Sequence, residues 1–114
     1  MKVSNIKKIL EADLLTCGNN IDKDISYAFG SDLMSDVLAY INEETVLLTG
    51  LNNPQAIRTA EMVDVSVVVF VRGKLPNKEI IELAEENDIT ILATKHIMFT
   101  ACGLLYENGL RGLD

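Results

Sequence analysis

The amino-acid sequence predicts an α/β fold of three layers, α/β/α, with helices on both faces of a mixed, mainly parallel central sheet. Three observations carry that expectation. From Thr45 onward, short apolar runs alternate with helical patterns in three consecutive strand–helix units, and parallel strands joined in this way need crossover helices packed on the sheet. Val65-Ser66-Val67-Val68-Val69-Phe70-Val71 is apolar at nearly every position, which calls for cover on both faces and so a central place in a parallel portion. The chain has 114 residues, 48% hydrophobic and 24% charged, a size and balance that fit one folded domain over residues 1–114 and no disordered class.

The elements follow in order. Val3, Ile6, Ile9 and Leu10 recur at helical spacing, with Lys2, Lys7 and Lys8 toward water, and predict a short amphipathic first helix. Ala12 to Cys17 is compact and apolar and reads as a strand, closed by Gly18-Asn19-Asn20, residues that tolerate positive φ. Asp24 to Phe29 alternates large apolar with small or polar residues, the period of a half-buried strand. Both early strands are expected to add to the sheet in mixed orientation. Gly30-Ser31-Asp32 then leads into a helix carrying Leu33, Val37, Leu38 and Ile41, with Ser31 placed to cap its free amides.

Thr45 to Thr49 is the next strand and Gly50 to Asn53 a turn. Asn53 is the natural cap, and Pro54 takes the first helical position, where its missing N–H costs nothing. That helix runs to about Met62 with Ile57 and Ala60 inward. After the strand through Val71, Arg72-Gly73-Lys74 breaks the pattern. Asn77 caps a helix whose inner stripe is Ile80, Ile81, Leu83 and Ala84, opposed by Lys78, Glu79, Glu82, Glu85 and Glu86. Ile89 to Ala93 is the last strand. Thr94 reads as the cap of a final helix with Ile97, Ala101, Leu104 and Leu105 on one face, and Gly109 as its stop.

Composition narrows the partners. With 17 acidic against 10 basic side chains the net charge is −7, a field that repels phosphate backbones and anionic lipid headgroups, so neither nucleic acid nor membrane is expected. Polar residues interrupt every apolar run before it could form a signal-peptide core or a spanning helix, and a cytoplasmic location is expected. Cys17 and Cys102 stand in no metal or redox spacing and read as reduced, packed thiols. No GxxxxGK[ST], GxGxxG, GxSxG or HExxH motif occurs, which removes the common phosphate-loop, dinucleotide, hydrolase and zinc signatures and leaves no enzyme class, cofactor or metal expected. His96 is the one histidine. Cys102 lies six positions on, about 240° around a helix, so the two cannot pair within it, and His96 reads as a packed or surface residue.

In open α/β sheets, function concentrates at the carboxyl ends of parallel strands. The loops there hold Thr49, Gly50, Asn52 and Asn53, then Arg72, Gly73 and Lys74, then Thr94, Lys95 and His96. They are expected to share one edge. A helix start behind Gly50 and the cations Arg72, Lys74 and Lys95 suit a small anion. The same residues also read plainly as turn, cap and solvated strand-end residues.

Val46-Leu47-Leu48-Thr49-Gly50, the following helix, the apolar strand ending Arg72-Gly73, and Ile91-Leu92-Ala93-Thr94 resemble the DRTGG domain family over nearly the whole chain. Domains of this kind occur alone, joined to CBS domains in regulated pyrophosphatases, or inside some phosphate acetyltransferases, and the N-terminal domain of HPr kinase/phosphorylase is similar in fold. The resemblance implies a three-layer accessory domain without assigned chemistry, often a dimer. The motif naming the family should follow Gly50, where this chain reads Leu51-Asn52-Asn53-Pro54, without the Asp-Arg pair. Free-standing members with Asn-Pro-Gln there and Arg-Gly-Lys after the central strand look like proteins that accompany iron hydrogenase or redox gene clusters in anaerobic bacteria. The expected function is a non-catalytic regulatory or ligand-sensing domain, a homodimer, binding a small anion or nucleotide. An adaptor for a larger metabolic or redox enzyme, and a redox or metal protein using its two cysteines, are the alternatives.

Overall fold

The computed structural model describes residues 1–114. Its five strands are β1 (Asp13–Leu14), β2 (Tyr27–Gly30), β3 (Thr45–Thr49), β4 (Val67–Phe70) and β5 (Thr90–Ala93). They form one sheet in the order β1-β5-β4-β3-β2, with β2 through β5 parallel and β1 antiparallel to β5. The five helices are α1 (Val3–Ile9), α2 (Met34–Tyr40), α3 (Pro54–Met62), α4 (Lys78–Glu86) and α5 (Met98–Glu107). The three-layer mixed architecture expected from the sequence is the one found, and β4 is the middle strand.

Strand alternation divides the core in two. Val46, Leu48, Val67, Val69 and Leu92 pack on one face with Val3 and Ile6 of α1 and Ala101 and Leu105 of α5. Leu47, Val68, Phe70 and Ile91 pack on the other with residues of α2, α3 and α4. Successive side chains of a strand point to opposite faces, so a strand covered on both sides must be apolar throughout. β4, the central one, is buried at every position.

Local chemistry sets the ends of the helices. Asn53 Oδ1 accepts from Gln55 N at 2.9 Å with Pro54 behind it, and Asn77 Oδ1 accepts from Ile80 N at 3.0 Å. At the far ends of α1, α3, α4 and α5, paired bonds reach back to the last turn, such as Ile89 N to Ala84 O at 2.8 Å and Asp88 N to Glu85 O at 3.2 Å. This stop needs a left-handed residue; Glu11, Asp64, Asp88 and Gly109 supply it, all with positive φ.

β4 and β5 are shorter than read, starting at Val67 and Thr90 in place of Val65 and Ile89, and four further boundaries differ. The first strand is only Asp13–Leu14, because the Thr16 hydroxyl takes the Ile91 N–H and ends the ladder. The second begins at Tyr27: Asp24 bridges Lys2 and Ile25 N donates to Met1 O, so its first half pairs with the chain start. α2 buries Met34 and Val37, with Ile41 buried just past its end, and leaves Leu33 and Leu38 exposed, while Ser31 Oγ accepts from Leu33 N in the bend before the helix. α5 starts after Ile97 without a side-chain cap, because the Thr94 hydroxyl is turned inward to donate to Leu10 O at 2.7 Å.

No helix is long and apolar enough to cross a membrane.

Candidate functional site

Parallel pairing of β2 through β5 places their carboxyl ends side by side, and the loops leaving them are stitched together. Arg72 N donates to His96 O at 2.8 Å and Gly73 N to Thr94 O at 3.0 Å, which joins the exits of β4 and β5. The Arg72 guanidinium donates to Gly50 O at 2.7 Å, joining β4 to β3. Asn52 Nδ2 donates to Leu75 O at 3.0 Å across the same gap. All ten residues singled out in the sequence therefore lie along one rim.

They divide by accessibility. Thr49 and Thr94 are buried and act as braces: Thr94 ties the rim to α1, and the Thr49 hydroxyl donates to Asp32 while accepting from Leu51 N. Asn53 is used by α3 as its cap. Gly50 lies flat beneath Arg72, where a Cβ would come within 2.8 Å of the guanidinium nitrogens, so only glycine lets the side chain settle on that peptide. Arg72, Gly73, Lys74 and Lys95 are exposed and His96 half-exposed. The single ion pair of the chain is Lys78–Glu82, which leaves these three cations unpaired.

Arg72 and Gly73 both have left-handed backbone, with φ 73° and 72°. The other non-glycine residues with positive φ close helices; Arg72 follows a strand. That turn aims the guanidinium sideways at Gly50 and keeps both amides bonded to the β5 loop.

Asp32 was missed in the sequence. Its carboxylate accepts from Gly50 N at 2.6 Å and from the Thr49 hydroxyl at 3.1 Å, so the amide behind Gly50 that an anion could have used is already taken. The signal was present, since Gly30-Ser31-Asp32 leaves a strand, but β2 first had to be parallel to β3. Asn52 Oδ1 is buried without a hydrogen-bond partner.

The rim is an open surface. The four main grooves lie elsewhere, beside β2 and the C-terminal segment or at the opposite edge of the sheet. That opposite edge, where the strands begin, collects Asp22, Asp24, Glu43, Glu44, Asp64 and Asp88. Lys2 and Lys23 stand at that end too, and the exits hold Asp32 and Asp13 as well as Arg72, Lys74 and Lys95.

Of the two thiols expected to be packed, only Cys102 is partly buried. Cys17 is exposed, and its thiol donates to Glu85 Oε2 at 2.5 Å; that hydrogen bond, then the carboxylate's charge, hold its pKa above the ordinary thiol value. Burial raises that of Cys102. A thiolate is the reactive form, so Cys17 is expected to alkylate slowly for an exposed thiol at pH 8. Glu85→Gln should speed the reaction several-fold, as followed by iodoacetamide labelling and mass spectrometry in a Cys102→Ala background. No group of three or more His, Cys, Asp or Glu side chains is arranged to hold a metal ion.

Comparison with known proteins agrees with this architecture. The solved CBS and DRTGG domains of the regulatory region of Clostridium perfringens pyrophosphatase, complexed with the activator diadenosine tetraphosphate, align with a TM-score of 0.74 at 24% identity over 91% of this chain and 45% of that one. A cobalt-dependent inorganic pyrophosphatase of Clostridium perfringens (strain 13 / Type A) is 37% identical over 71 residues, 60% of this chain and 12% of the relative. The chain therefore spans less than half of the solved relative and a small part of the curated one. The family model described as the DRTGG domain matches residues 5–107, which takes in every strand and helix from within α1 to the end of α5, and the chain belongs to the DRTGG domain family.

Proposed function

We propose that this chain is a regulatory, ligand-sensing domain that performs no chemistry itself and takes a small anion, a nucleotide with a polyphosphate chain, on the rim of strand exits. One observation carries the reading: in a chain of net charge −7, Arg72, Lys74 and Lys95 stand unpaired at one edge, with the Arg72 guanidinium fixed by Gly50 O. The fixed nitrogen leaves the other donors of the fork free, and a pre-oriented guanidinium recognises phosphate through directed, charge-assisted bonds. An open rim suits an extended phosphate chain better than an enclosed apolar ligand. Recognition without turnover fits the groups at hand, since the rim offers no thiolate and no paired acid and base. The solved pyrophosphatase regulatory region, which contains a DRTGG domain, is complexed with a dinucleoside tetraphosphate, a ligand of this chemical class.

The test is thermal unfolding with diadenosine tetraphosphate or ATP. A ligand at 100 times its Kd adds about 2.7 kcal/mol, which for a domain of this size raises Tm on the order of 10 °C. Arg72→Ala removes a charge-assisted contact worth about 1.5–3 kcal/mol and should weaken binding roughly 10- to 100-fold. An unmoved Tm with both nucleotides at millimolar concentration would overturn the nucleotide reading.

A second reading has its own support. Leu33, Leu75 and Ile97 border the rim and are exposed, as in an adaptor that docks on a larger enzyme with apolar contacts around a basic centre. It is favoured if nucleotides leave Tm unmoved while Leu75→Asp abolishes the effect of this chain on a purified enzyme's activity.

A further inference from the structure

β2 ends the sheet on one side, and its outer edge is only half covered. Backbone groups along a strand face alternately to either side. Tyr27 N and Ser31 N donate inward, to Glu44 O and Leu48 O, so Ala28 and Gly30 face outward. Arg111 O takes the Ala28 N–H at 2.9 Å, through the one bridge that the C-terminal segment makes to β2. Beyond Arg111 that segment leaves the strand, and the Gly30 N–H has no acceptor. An exposed edge of this kind is a template for another extended chain.

The surroundings of that edge select by charge. Between β2 and α2 lies a groove of about 690 Å³, the largest of the four main ones, whose only charged residues are Asp36 and Asp114. Asp36 and Tyr40 stand at i, i+4 on α2 and so share a face. Tyr40 is 65% exposed, and its ring lies 6.2 Å from that of Phe29. No cation of the chain pairs with Asp36. From Asp24 to Ile57 there is no basic side chain, against five acidic ones, Asp24, Asp32, Asp36, Glu43 and Glu44. Arg111 is turned the other way, with its guanidinium 4.1 Å from the centre of the Tyr106 ring. On that other side of the edge, Cys102 and Leu110 line a smaller groove.

We propose that the edge of β2 docks an extended segment of a partner protein in which basic and apolar residues alternate. The segment adds a strand beside Gly30 through main-chain hydrogen bonds, the mode in which side-chain pockets then give specificity. One side chain, a lysine or arginine, lies against Tyr40 and reaches the Asp36 carboxylate, combining a cation–π contact with a charge-assisted hydrogen bond. Its neighbour points to the opposite face, toward Leu110 and Cys102. A second copy of β2 is a poor occupant, because it would set this acidic groove against itself.

Fluorescence anisotropy on the full chain tests this with a labelled peptide of about six residues alternating valine and arginine. The peptide should bind with a Kd on the order of 10–100 µM, and its valine–glutamate counterpart should not bind. Asp36→Ala should weaken binding roughly 10- to 100-fold, and Tyr40→Ala roughly 3- to 30-fold, with circular dichroism unchanged. Glu61→Gln, which removes a charge from the groove beside Asn20 and Ser66, should leave affinity as it is. Bound peptide should also slow hydrogen exchange of the Gly30 amide, followed by NMR, by roughly tenfold or more. No binding at roughly 1 mM peptide, an affinity that falls as far in Glu61→Gln as in Asp36→Ala, or a Gly30 amide that exchanges at the same rate with and without peptide would overturn the proposal.

Discussion

Truncation of Phe70 to alanine is expected to lower the unfolding free energy by about 3–5 kcal/mol, read as a lower urea midpoint at unchanged slope. Phe70 is 1% exposed at the end of β4, the middle strand, in the cluster shared with α3 and α4. Truncation removes the transfer energy of the ring and leaves a cavity unless the surroundings collapse. Little collapse is available, because the helices already approach the sheet through Ala56, Ala60 and Ala84, all fully buried. A domain of this kind has about 5–15 kcal/mol in total, so the variant stands near the limit of folding. Met62→Ala, at an exposed position, provides the contrast and should change stability by less than about 0.5 kcal/mol.

Asp32→Ala should act in two directions at once. The carboxylate holds the exits of β2 and β3 together through Gly50 N and the Thr49 hydroxyl. Hydrogen bonds to a charged group are worth about 1.5–3 kcal/mol, and a loss of that size is expected in chemical denaturation. The same substitution removes the negative charge nearest Gly50 and frees its amide. Nucleotide affinity at the rim should therefore rise, by roughly 1 kcal/mol at the short distances and high dielectric of a surface. A titration showing weaker binding by Asp32→Ala than by the wild type would speak against an anion at this rim. Asp32→Asn keeps an acceptor for Gly50 N and should lose less stability while gaining a similar part of the affinity.

How much was legible follows from how local each signal is. β3, α3, β4 and α4 declare themselves through a few adjacent residues: Thr45 to Thr49 matches its strand at both ends, and Asn53 and Asn77 cap their helices as read. The rim was legible because it needs only three strand ends and parallel pairing. What escaped depends on partners far along the chain. Thr94 looks like a helix cap until its hydroxyl finds Leu10 O, 84 residues away. The strand at Asp24 shortens because its first residues bond to Met1 and Lys2. Asp32 acquires its role only when β2 lies beside β3. The inward stripe of α2 keeps Val37 and Ile41 but takes Met34 in place of Leu33 and leaves Leu38 out, because all share the hydrophobicity that the pattern reads and only packing separates them.

The left-handed conformation of Arg72 bears on how this protein would respond to selection or engineering for heat resistance. A side chain there is held against its own preference at a cost of about 1–3 kcal/mol, and glycine would relieve it. Arg72→Gly would also break the guanidinium bond to Gly50 O, worth about 1.5–3 kcal/mol, and would loosen the unfolded chain, so it should bring no gain in melting temperature. The strain and the brace are two sides of one residue, and neither can be selected away alone.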